Sequence, residues 1–382
     1  MNALPPLALY VHMPWCVRKC PYCDFNSHVA PETIPQQQYV DALIEDLAID
    51  AGAAQGRALV SIFFGGGTPS LFAPDQVGRF LEAARSLVTF APDIEVTLEA
   101  NPGTVEHGRF SGYRDAGINR VSLGAQTFDP DQLRLLGRIH GSGDIARAVD
   151  EVRSAGLENF NLDLMYGLPA QTLQQALADL DAALAFEPAH ISHYQLTLEP
   201  NTLFAAKPPA GIPDDDASWD IQEHCQGMLA EAGFAQYEVS AYARPDRQCA
   251  HNLNYWHFGD YLGIGAGAHS KLSFADRIVR QVRYKQPKQY LDEIAKGAPL
   301  MEDGVVKRED IGFEFMLNAL RLTEGVPAAL FAERTGYPLS LVQRGLEEAE
   351  ARGLIERDPS VLRPTPLGQR FLNDLQQLFL AD

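Results

Sequence analysis

Three cysteines near the start of the chain have a spacing that can place their thiolates around one metal centre. Cys16, Cys20 and Cys23 form a C-x3-C-x2-C pattern. An iron–sulfur cluster usually takes four cysteine ligands, so a cluster held by three leaves one iron without a protein ligand. Such an iron can bind a substrate or cofactor as a Lewis acid. The spacing favours this chemistry.

Two other uses of the same thiols remain open from the spacing alone. A structural zinc ion normally has four closed ligands, and the fourth would have to come from a distant residue or from His12 or His28. A redox pair would use the C-x-x-C of Cys20 and Cys23 and would leave Cys16 without a role.

A glycine-rich loop follows the second predicted strand. It consists of Gly65, Gly66 and Gly67, with Thr68 directly after them. Glycine lets the backbone approach a ligand closely, although the same residues also suit a plain tight turn. No Gly-Lys-Ser/Thr follows, so the loop is not a phosphate-binding P-loop.

Two carboxylates lie where a ligand could need them. Glu99 ends one predicted strand, and Asp163 lies inside an otherwise apolar one. An unpaired buried carboxylate is costly, so Asp163 needs a partner. A ribose diol, an amine or Arg138 would serve, and a plain buried salt bridge is the alternative.

The elements that must position these residues alternate between strand and helix. The two hydrophobic periods alternate at roughly 30 to 40 residues per unit, which implies parallel strands joined by crossover helices. The predicted strands are Leu7–Met13, Leu59–Phe64, Ile94–Ala100, Arg120–Gln126, Phe160–Tyr166 and His190–Leu198, and the predicted helices between them are Pro35–Ile49, Pro74–Val88, Val105–Ala116, Asp144–Ala155 and Leu173–Phe186.

The position of the polar residues favours a barrel over an open doubly wound sheet. They follow or end several successive strands, and Gln126 ends the fourth. In α/β barrels the chemistry gathers at the carboxyl ends of many strands, whereas a doubly wound sheet concentrates it at one switch point. Six strand–helix units fall short of eight. The predicted fold class is therefore α/β, a partial (β/α)6 barrel over residues 1–200.

The pattern changes after residue 200. Residues 201–300 are predicted to extend the barrel, with a helix, a strand and an irregular aromatic-rich stretch, at Ser218–Ala232, Tyr237–Tyr242 and Arg244–Gly267. Residues 305–382 are predicted to form a small helical, winged-helix-like domain, with helices at Glu309–Leu322, Ala328–Thr335, Leu339–Arg352 and Leu367–Phe379 and a short two-stranded wing at Gly353–Pro364.

Charge and cysteine usage limit the classes of partner. The 382-residue chain carries a formal net charge of −19, which should repel nucleic acid and anionic lipid. The tail is also acidic, so a helix-turn-helix reading does not make it a DNA-binding module. No signal peptide or membrane-spanning run is found, and five cysteines make a poor disulfide framework. A reducing cytoplasm is expected, with at most peripheral membrane contact.

The cysteine motif on a strand-to-helix loop, with Tyr22 just before the third cysteine, resembles that of the radical S-adenosylmethionine (SAM) superfamily. The resemblance implies a [4Fe-4S] cluster whose open iron binds S-adenosylmethionine, and an electron donor that allows its cleavage to a radical. It implies that Cys16, Cys20 and Cys23 are the metal ligands and that the cofactor is held by Tyr10, Tyr22, Gly65, Gly66, Gly67, Thr68, Glu99, Gln126, Arg138 and Asp163.

Within that superfamily the chain is most similar to the oxygen-independent coproporphyrinogen III oxidases and the HemW-type haem chaperones. The oxidases carry a further cysteine where this chain has Phe25, and they have a long N-terminal extension. Both departures point to the chaperone branch, which implies binding of haem and its transfer to haem-requiring client proteins, with respiratory enzymes the expected clients. Whether the chain is also an enzyme is left open. Oxidase activity and a zinc-stabilised scaffold are the alternatives.

A second candidate site is the string His251-Asn-Leu-Asn-Tyr255-Trp256. An imidazole flanked by aromatic residues suits haem, and the string resembles a signature of the chaperone branch. His251 is therefore the predicted haem contact, with Cys249 as an alternative axial ligand and a packed polar loop as the structural alternative. Nearby positive charge would be needed for the haem propionates, from Arg244, Arg247 or Lys271, and no role is assigned to His257 or His269.

Overall fold

The centre of the molecule is a twelve-stranded sheet. The computed structural model describes residues 4–103 and 108–380. All six predicted strands are present, and each pairs in parallel with the next along the chain. Their bounds are Leu7–Met13, Leu59–Gly66, Phe90–Ala100, Arg120–Gln126, Phe160–Tyr166 and His190–Gln195. The predicted α/β class, a partial barrel with a helical C-terminal region, is confirmed.

The stretch Arg244–Gly267 is not irregular, and this expectation was wrong. It contains the helix Ala250–Trp256 and a seventh parallel strand, Asp260–Ile264, which pairs with Leu7–Met13. The strand is only five residues long and buried throughout, so it lacks the polar alternation by which a strand is recognised from sequence.

Antiparallel strands extend both edges of the parallel sheet. They are Ala235–Glu238 and Ala241–Ala243 on one side, and His269–Ser273, Ile278–Arg283 and Leu300–Val305 on the other. The single predicted strand Tyr237–Tyr242 is thus two strands separated by a turn. Within the described residues the two edge strands do not pair with each other, so the barrel is open.

Helices cover the sheet. The strands Leu7–Met13, Arg120–Gln126 and Phe160–Tyr166 are buried along nearly their whole length, as expected of strands covered on both faces. The helices of the first 300 residues are Gln36–Asp50, Pro74–Leu87, Phe110–Ala116, Pro130–Leu135, Ser142–Ser154, Leu173–Leu184, Leu203–Ala206, Asp215–Glu231, Ala250–Trp256 and Pro287–Ile294, with 3-10 turns at Ala51–Ala54 and Pro69–Leu71. Part of the predicted helix Val105–Ala116 falls outside the described residues.

The C-terminal region has its own apolar core, which also takes in Phe258 and Ile278 from the sheet side. Its elements are the helices Arg308–Ala319, Ala329–Thr335, Gln343–Ala351, Pro366–Arg370 and Leu372–Gln377, a 3-10 turn at Leu339–Val342, and the strands Val326–Pro327 and Val361–Leu362.

The predicted wing and the last predicted helix need correction. Val361–Leu362 pairs with Val326–Pro327, whereas within Gly353–Pro364 only the single bridge between Ile355 and Pro364 forms. The last helix is interrupted at Phe371, whose backbone leaves the helical region. In the described residues, none of the helices has the length and apolar character needed to cross a bilayer.

Candidate functional site

The loop after the first strand brings the three cysteines to one cavity of about 410 Å³. A two-residue strand, Trp15–Cys16, pairs in parallel with His28–Val29 and closes the loop at its base. Inside the loop the amide of Cys23 donates to the carbonyl of Cys20 at 3.2 Å. Burial raises the pKa of the Cys16 and Cys23 thiols. Thiolates here therefore need nearby positive charge, which a metal centre would supply.

Each of the three sulfurs also has a polar side-chain partner. The Thr68 hydroxyl donates to Cys16 Sγ at 3.5 Å, and Arg138 Nη1 donates to Cys20 Sγ at 3.7 Å. The third sulfur, of Cys23, lies 3.8 Å from the hydroxyl of Ser27. Hydrogen bonds to cluster sulfurs are one means by which proteins tune an iron–sulfur centre.

Asn101 connects two of these partners, although it was not among the predicted site residues. Its Nδ2 donates to the Thr68 hydroxyl at 2.8 Å, and its Oδ1 accepts a hydrogen bond from Arg138. One amide thereby orients the groups that contact Cys16 and Cys20. A sequence signal existed, because Asn101 lies two residues after Glu99 at the same strand end.

The donor set suits a cluster better than a single ion. Among residues 4–103 and 108–380, no three His, Cys, Asp or Glu side chains are grouped closely enough to hold one metal ion. A cluster of four irons is larger than one ion, and it can be reached by Cys16, Cys20 and Cys23 from around a shared cavity. The residues present therefore fit an iron–sulfur cluster.

The glycine loop is packed against the first strand and its loop. The amide of Gly67 donates to the Met13 carbonyl at 2.7 Å. Gly66 has a φ of +112°, and a Cβ there would lie 2.5 Å from the His12 imidazole. A side chain at Gly67 would meet the Trp15 carbonyl oxygen at 2.6 Å. Glycine is thus required for close packing, and this packing places both residues on the cavity wall.

Glu99 reaches the same wall from the third strand. Its Oε2 accepts a hydrogen bond from the Gly66 amide at 3.2 Å. Burial, and then the nearby Asp163 carboxylate, raise the pKa of Glu99 to about 8. Glu99 is therefore mostly protonated at neutral pH until a cation binds beside it.

Asp163 has neutral partners, so the proposed alternative of a pair with Arg138 is wrong. Its carboxylate accepts hydrogen bonds from Ser122 Oγ at 3.1 Å and Asn161 Nδ2 at 2.7 Å. Asn161 is oriented in turn by His190, whose Nδ1 lies 2.7 Å from its side-chain oxygen. Burial raises the pKa of Asp163. This carboxylate is thus oriented by neutral side chains and has no ion-pair partner in the described residues.

Gln126 is held in an unusual backbone conformation. Its φ is +70°, in the left-handed region that side-chain-bearing residues rarely adopt. Its Oε1 accepts a hydrogen bond from the Tyr194 hydroxyl at 2.6 Å. Strain of this kind often marks a functional site, and both residues line the cavity.

The cavity therefore gathers most of the predicted cluster and cofactor residues. Gly65 and Thr68 lie just behind its wall, and Tyr10 faces a second cavity instead. The predicted residues that line it are Cys16, Cys20, Tyr22, Cys23, Gly66, Gly67, Glu99, Gln126, Arg138 and Asp163.

A second cavity, of about 700 Å³, adjoins the first. The two share part of their walls, including Phe25, Gly66 and Glu99. The walls of the second cavity are rich in aromatic and imidazole rings. Those rings belong to Tyr10, His12, Phe25, His28, Tyr255, Tyr261 and His269.

His251 lines neither cavity and lies behind the wall of the second. It is 2% exposed, and its ring centroid is 5.0 Å from that of Tyr255 and 6.4 Å from that of Tyr10. Its Nδ1 lies 2.9 Å from the Ser61 hydroxyl, and its Nε2 is buried without a hydrogen-bond partner in the described residues. Burial lowers the pKa of His251 to about 3, so the ring is neutral. Its haem contact stays a prediction.

Glu95 positions the start of the helix that carries His251. Its carboxylate accepts the amides of Ala250 and His251, each at 3.1 Å. The Cys249 thiol also donates to it, at 3.6 Å. Burial raises the pKa of Cys249 to about 12, so this thiol stays protonated, and it faces neither cavity.

The basic residues predicted to meet haem propionates are not the basic residues that line the second cavity. Lys271 is buried in an ion pair within the fold, so its predicted role beside propionates is wrong. Arg244 packs over a phenylalanine ring, and neither it nor Arg247 lines the second cavity. The lysines that do line it are Lys19 and Lys285.

Family models match two parts of the chain. The model of the radical SAM superfamily matches residues 10–183, and that of the HemN C-terminal domain matches residues 306–371. The first match spans both the cysteine loop and the strand that carries Asp163.

Similar curated proteins cover the whole chain. The heme chaperone HemW of Escherichia coli is 48% identical and that of Haemophilus influenzae 49%, each over 100% of both chains. HemW of Bacillus subtilis is 33% identical over 98% of this chain and 99% of its own.

A solved structure has the same fold. The coproporphyrinogen III oxidase HemN of Escherichia coli, a radical SAM enzyme, superposes with a TM-score of 0.83 over 98% of this chain and 90% of its own. At 24% identity this match supports the fold alone.

Proposed function

The chain belongs to the radical SAM superfamily, in the branch of the HemW heme chaperones, and on that basis we propose that it binds a [4Fe-4S] cluster, S-adenosylmethionine and haem. We propose further that it delivers haem to client proteins, among them respiratory enzymes. The observation that carries the proposal is the pair of adjoining cavities, one lined by the three cysteines and the other by aromatic and imidazole rings.

Cys16, Cys20 and Cys23 would hold the cluster. When bound, a cluster with three protein ligands supplies a Lewis-acidic iron and a site for one-electron reduction. Arg138 would orient the Cys20 sulfur through the hydrogen bond that its Nη1 donates. Thr68 would stabilise the Cys16 thiolate by its hydrogen bond.

S-adenosylmethionine would lie in the smaller cavity beside the cysteines. It carries a sulfonium and an ammonium group, and two partly buried carboxylates, Glu99 and Asp163, favour cations there. Asp163 and Gln126 offer acceptors for a ribose diol, and the Arg138 guanidinium suits the carboxylate of the ligand. Of the remaining predicted contacts, Tyr22, Gly66 and Gly67 line this cavity, Gly65 and Thr68 lie behind its wall, and Tyr10 lines the adjoining larger cavity.

Haem would enter the larger cavity. Tyr255 lines this cavity, so the segment His251–Trp256 contributes to its wall. A flat macrocycle can bury much of its surface against aromatic rings. His251, the predicted haem contact, lies directly behind Tyr255. The expected partners are haem, haem-requiring clients and an electron donor; nucleic acid is not expected for a chain with a net charge of −19.

A cytoplasmic location is part of the proposal. The function needs reduced cysteines at the cluster site, and all five cysteines are free in the structure. Thiols remain reduced in the cytoplasm and tend to form disulfides outside it.

Titration with haemin, run beside an oxidase assay, tests the proposal. Anaerobically reconstituted protein should shift the Soret band of haemin with saturation near one haem per chain, and it should not convert coproporphyrinogen III to the divinyl product. Turnover of coproporphyrinogen III would overturn the chaperone assignment in favour of the oxidase. Stoichiometric zinc in place of iron would favour the non-catalytic scaffold.

A further inference from the structure

The larger cavity presents three imidazoles, and their hydrogen bonds distinguish them. His12 uses both nitrogens, because Nε2 lies 2.9 Å from the Asn26 carbonyl and Nδ1 lies 3.0 Å from the Tyr10 hydroxyl. His28 uses Nε2, which lies 3.2 Å from the Lys285 carbonyl. A nitrogen that donates to a carbonyl has no lone pair for a metal, so the engagement of both ring nitrogens excludes His12. His28 keeps a lone pair at Nδ1, but its ring is half-buried and tied to the Lys285 carbonyl.

His269 differs from the other two. In the described part of the chain, neither of its ring nitrogens makes a hydrogen bond, and its side chain is exposed at the cavity. Burial of part of the ring, and then the charges of Lys285 and Arg280, lower the pKa of His269. A neutral imidazole with a free nitrogen is the form that binds haem iron.

The strand that carries His269 holds its backbone firmly. His269 begins the strand His269–Ser273, and it pairs in register with Val282 on the next strand. Its carbonyl lies against Gly263, where a Cβ would come within 1.8 Å of the oxygen. The imidazole therefore projects from the first residue of a strand that is paired on both sides, whereas His251 is enclosed behind the cavity wall.

The charge of the cavity suits an anionic ligand with a flat apolar body. Lys19 and Lys285 line it and are both exposed, and the Lys19 ammonium also donates to the carbonyls of Phe25 and Ser27. The two acidic side chains on the wall are Asp24 and Glu99, and Glu99 is largely neutral because burial raises its pKa to about 8. Two lysines at one cavity of a strongly acidic chain are the partners that haem propionates need.

We propose, on the basis of the haem-binding function above, that haem occupies this cavity with its iron bound by His269 and its propionates directed to Lys19 and Lys285. The porphyrin plane lies against Tyr255 and its neighbour Tyr261, whose ring centroids are 4.3 Å apart. The volume of about 700 Å³ lies within the usual range for small-molecule sites, about 300–1,000 Å³.

The test is a haemin titration of the full chain with three histidine variants. His269→Ala should weaken binding by about tenfold or more and should lose the spectral signature of an imidazole-bound iron. His28→Ala removes an imidazole from the same cavity and is the matched control, with an expected change of less than about threefold. His269→Met replaces the nitrogen ligand with a thioether, so it should bind haem with a different Soret maximum.

The outcomes separate the ligand assignment from the function itself. If His269→Ala keeps the affinity and spectrum of the natural protein, the assignment to His269 is wrong while haem binding stands; a loss confined to His251→Ala or His28→Ala would exclude His269 in the same way. If the natural protein itself does not bind haemin, the proposed function fails. Lys19→Glu with Lys285→Glu should weaken binding without moving the Soret maximum, and equal affinity would overturn the propionate contacts.

Discussion

At the scale of single residues, the cavity beside the three cysteines contains two partly buried carboxylates that lack an ion-pair partner in the described structure. Glu99 accepts one backbone amide and Asp163 accepts two neutral side chains. Burial raises the pKa of both. Ionised carboxylates in such an empty site destabilise the protein, and a bound cation removes this destabilisation.

Glu99 should couple cofactor affinity to pH. A cation binds the ionised form, whereas the empty site is protonated below a pKa of about 8, so binding releases a proton. The affinity for S-adenosylmethionine should therefore rise with pH up to about 8, by at most about tenfold per pH unit, and then level off. Glu99→Gln should bind more weakly and show a flatter profile when measured by calorimetry.

A control for this experiment is Glu82→Gln, which removes an exposed carboxylate from a helix surface. It should leave the pH profile unchanged. A Glu99→Gln profile that rises as steeply as that of the natural protein would show that another group carries the linkage.

Replacing the Asp163 carboxylate should have opposite effects on the stability of the ligand-free protein and on the binding of S-adenosylmethionine. Burial raises its folded pKa, so the ligand-free protein loses stability as pH rises above the unfolded pKa, and this loss levels off above the folded pKa. Asp163→Asn should therefore stabilise the ligand-free protein by about 1 kcal/mol and weaken S-adenosylmethionine binding by about tenfold or more. Urea unfolding and calorimetry measure the two effects. A destabilised variant with unchanged affinity would contradict this role.

At the scale of elements, the glycine loop is fitted between the first strand and the cysteine loop. Gly66 combines a φ of +112° with an imidazole 2.5 Å from the position of its missing Cβ. Gly66→Ala should cost about 2–4 kcal/mol in the free energy of unfolding, because strain and overlap add. Gly56→Ala is the control, since Gly56 has a φ of +76° but open space around it, and it should cost only about 1 kcal/mol. Equal losses in urea unfolding would show that steric overlap at Gly66 is unimportant.

The elements that could be predicted from the sequence are those with a clear hydrophobic periodicity and a recognisable boundary. The six parallel strands alternate with helices at regular spacing, so their order and the position of the cysteine loop followed from the residues alone. The strand Asp260–Ile264 could not be predicted in this way. It is short and fully buried, and its place beside Leu7–Met13 depends on a contact about 250 residues away along the chain.

The residues of the candidate site can also be divided into those that the sequence predicts and those that only the structure reveals. Cys16, Cys20 and Cys23 share one local motif, so their convergence was predictable. Asn101 connects Thr68 with Arg138 only because three separate chain segments meet. His269 was set aside because nothing next to it in the sequence shows that it borders a cavity.

At the scale of the whole molecule, a few polar contacts help to hold the C-terminal region against the barrel. The Arg321 guanidinium donates to the buried Glu238 carboxylate at 2.8 Å and packs over Trp256 at 4.4 Å. The Thr323 hydroxyl also donates to the Gln236 carbonyl. Trp256 thus joins the helix Ala250–Trp256 to the tail.

Arg321→Ala should loosen the tail and leave the cluster site intact. The change leaves Glu238 buried without its cation, which should cost about 2 kcal/mol, given that Arg321 is partly exposed. Hydrogen exchange should become faster in residues 308–379 and stay unchanged around the cysteine loop. Arg244→Ala, which removes a comparable arginine over Phe234 within the barrel, should not affect the tail. Equal exchange in both variants would contradict this account of docking.

The central claim is that three thiols on one loop hold an iron–sulfur cluster with an iron open to S-adenosylmethionine. The most direct measurement is iron and sulfide content after anaerobic reconstitution, with electron paramagnetic resonance of the reduced protein. About four irons per chain are expected, with a spectrum that changes when S-adenosylmethionine is added. Cys20→Ser should lose both signals, whereas Cys225→Ala, at a buried cysteine outside the cavity, should keep them. Protein that remains free of iron, or that holds only zinc, would contradict the claim.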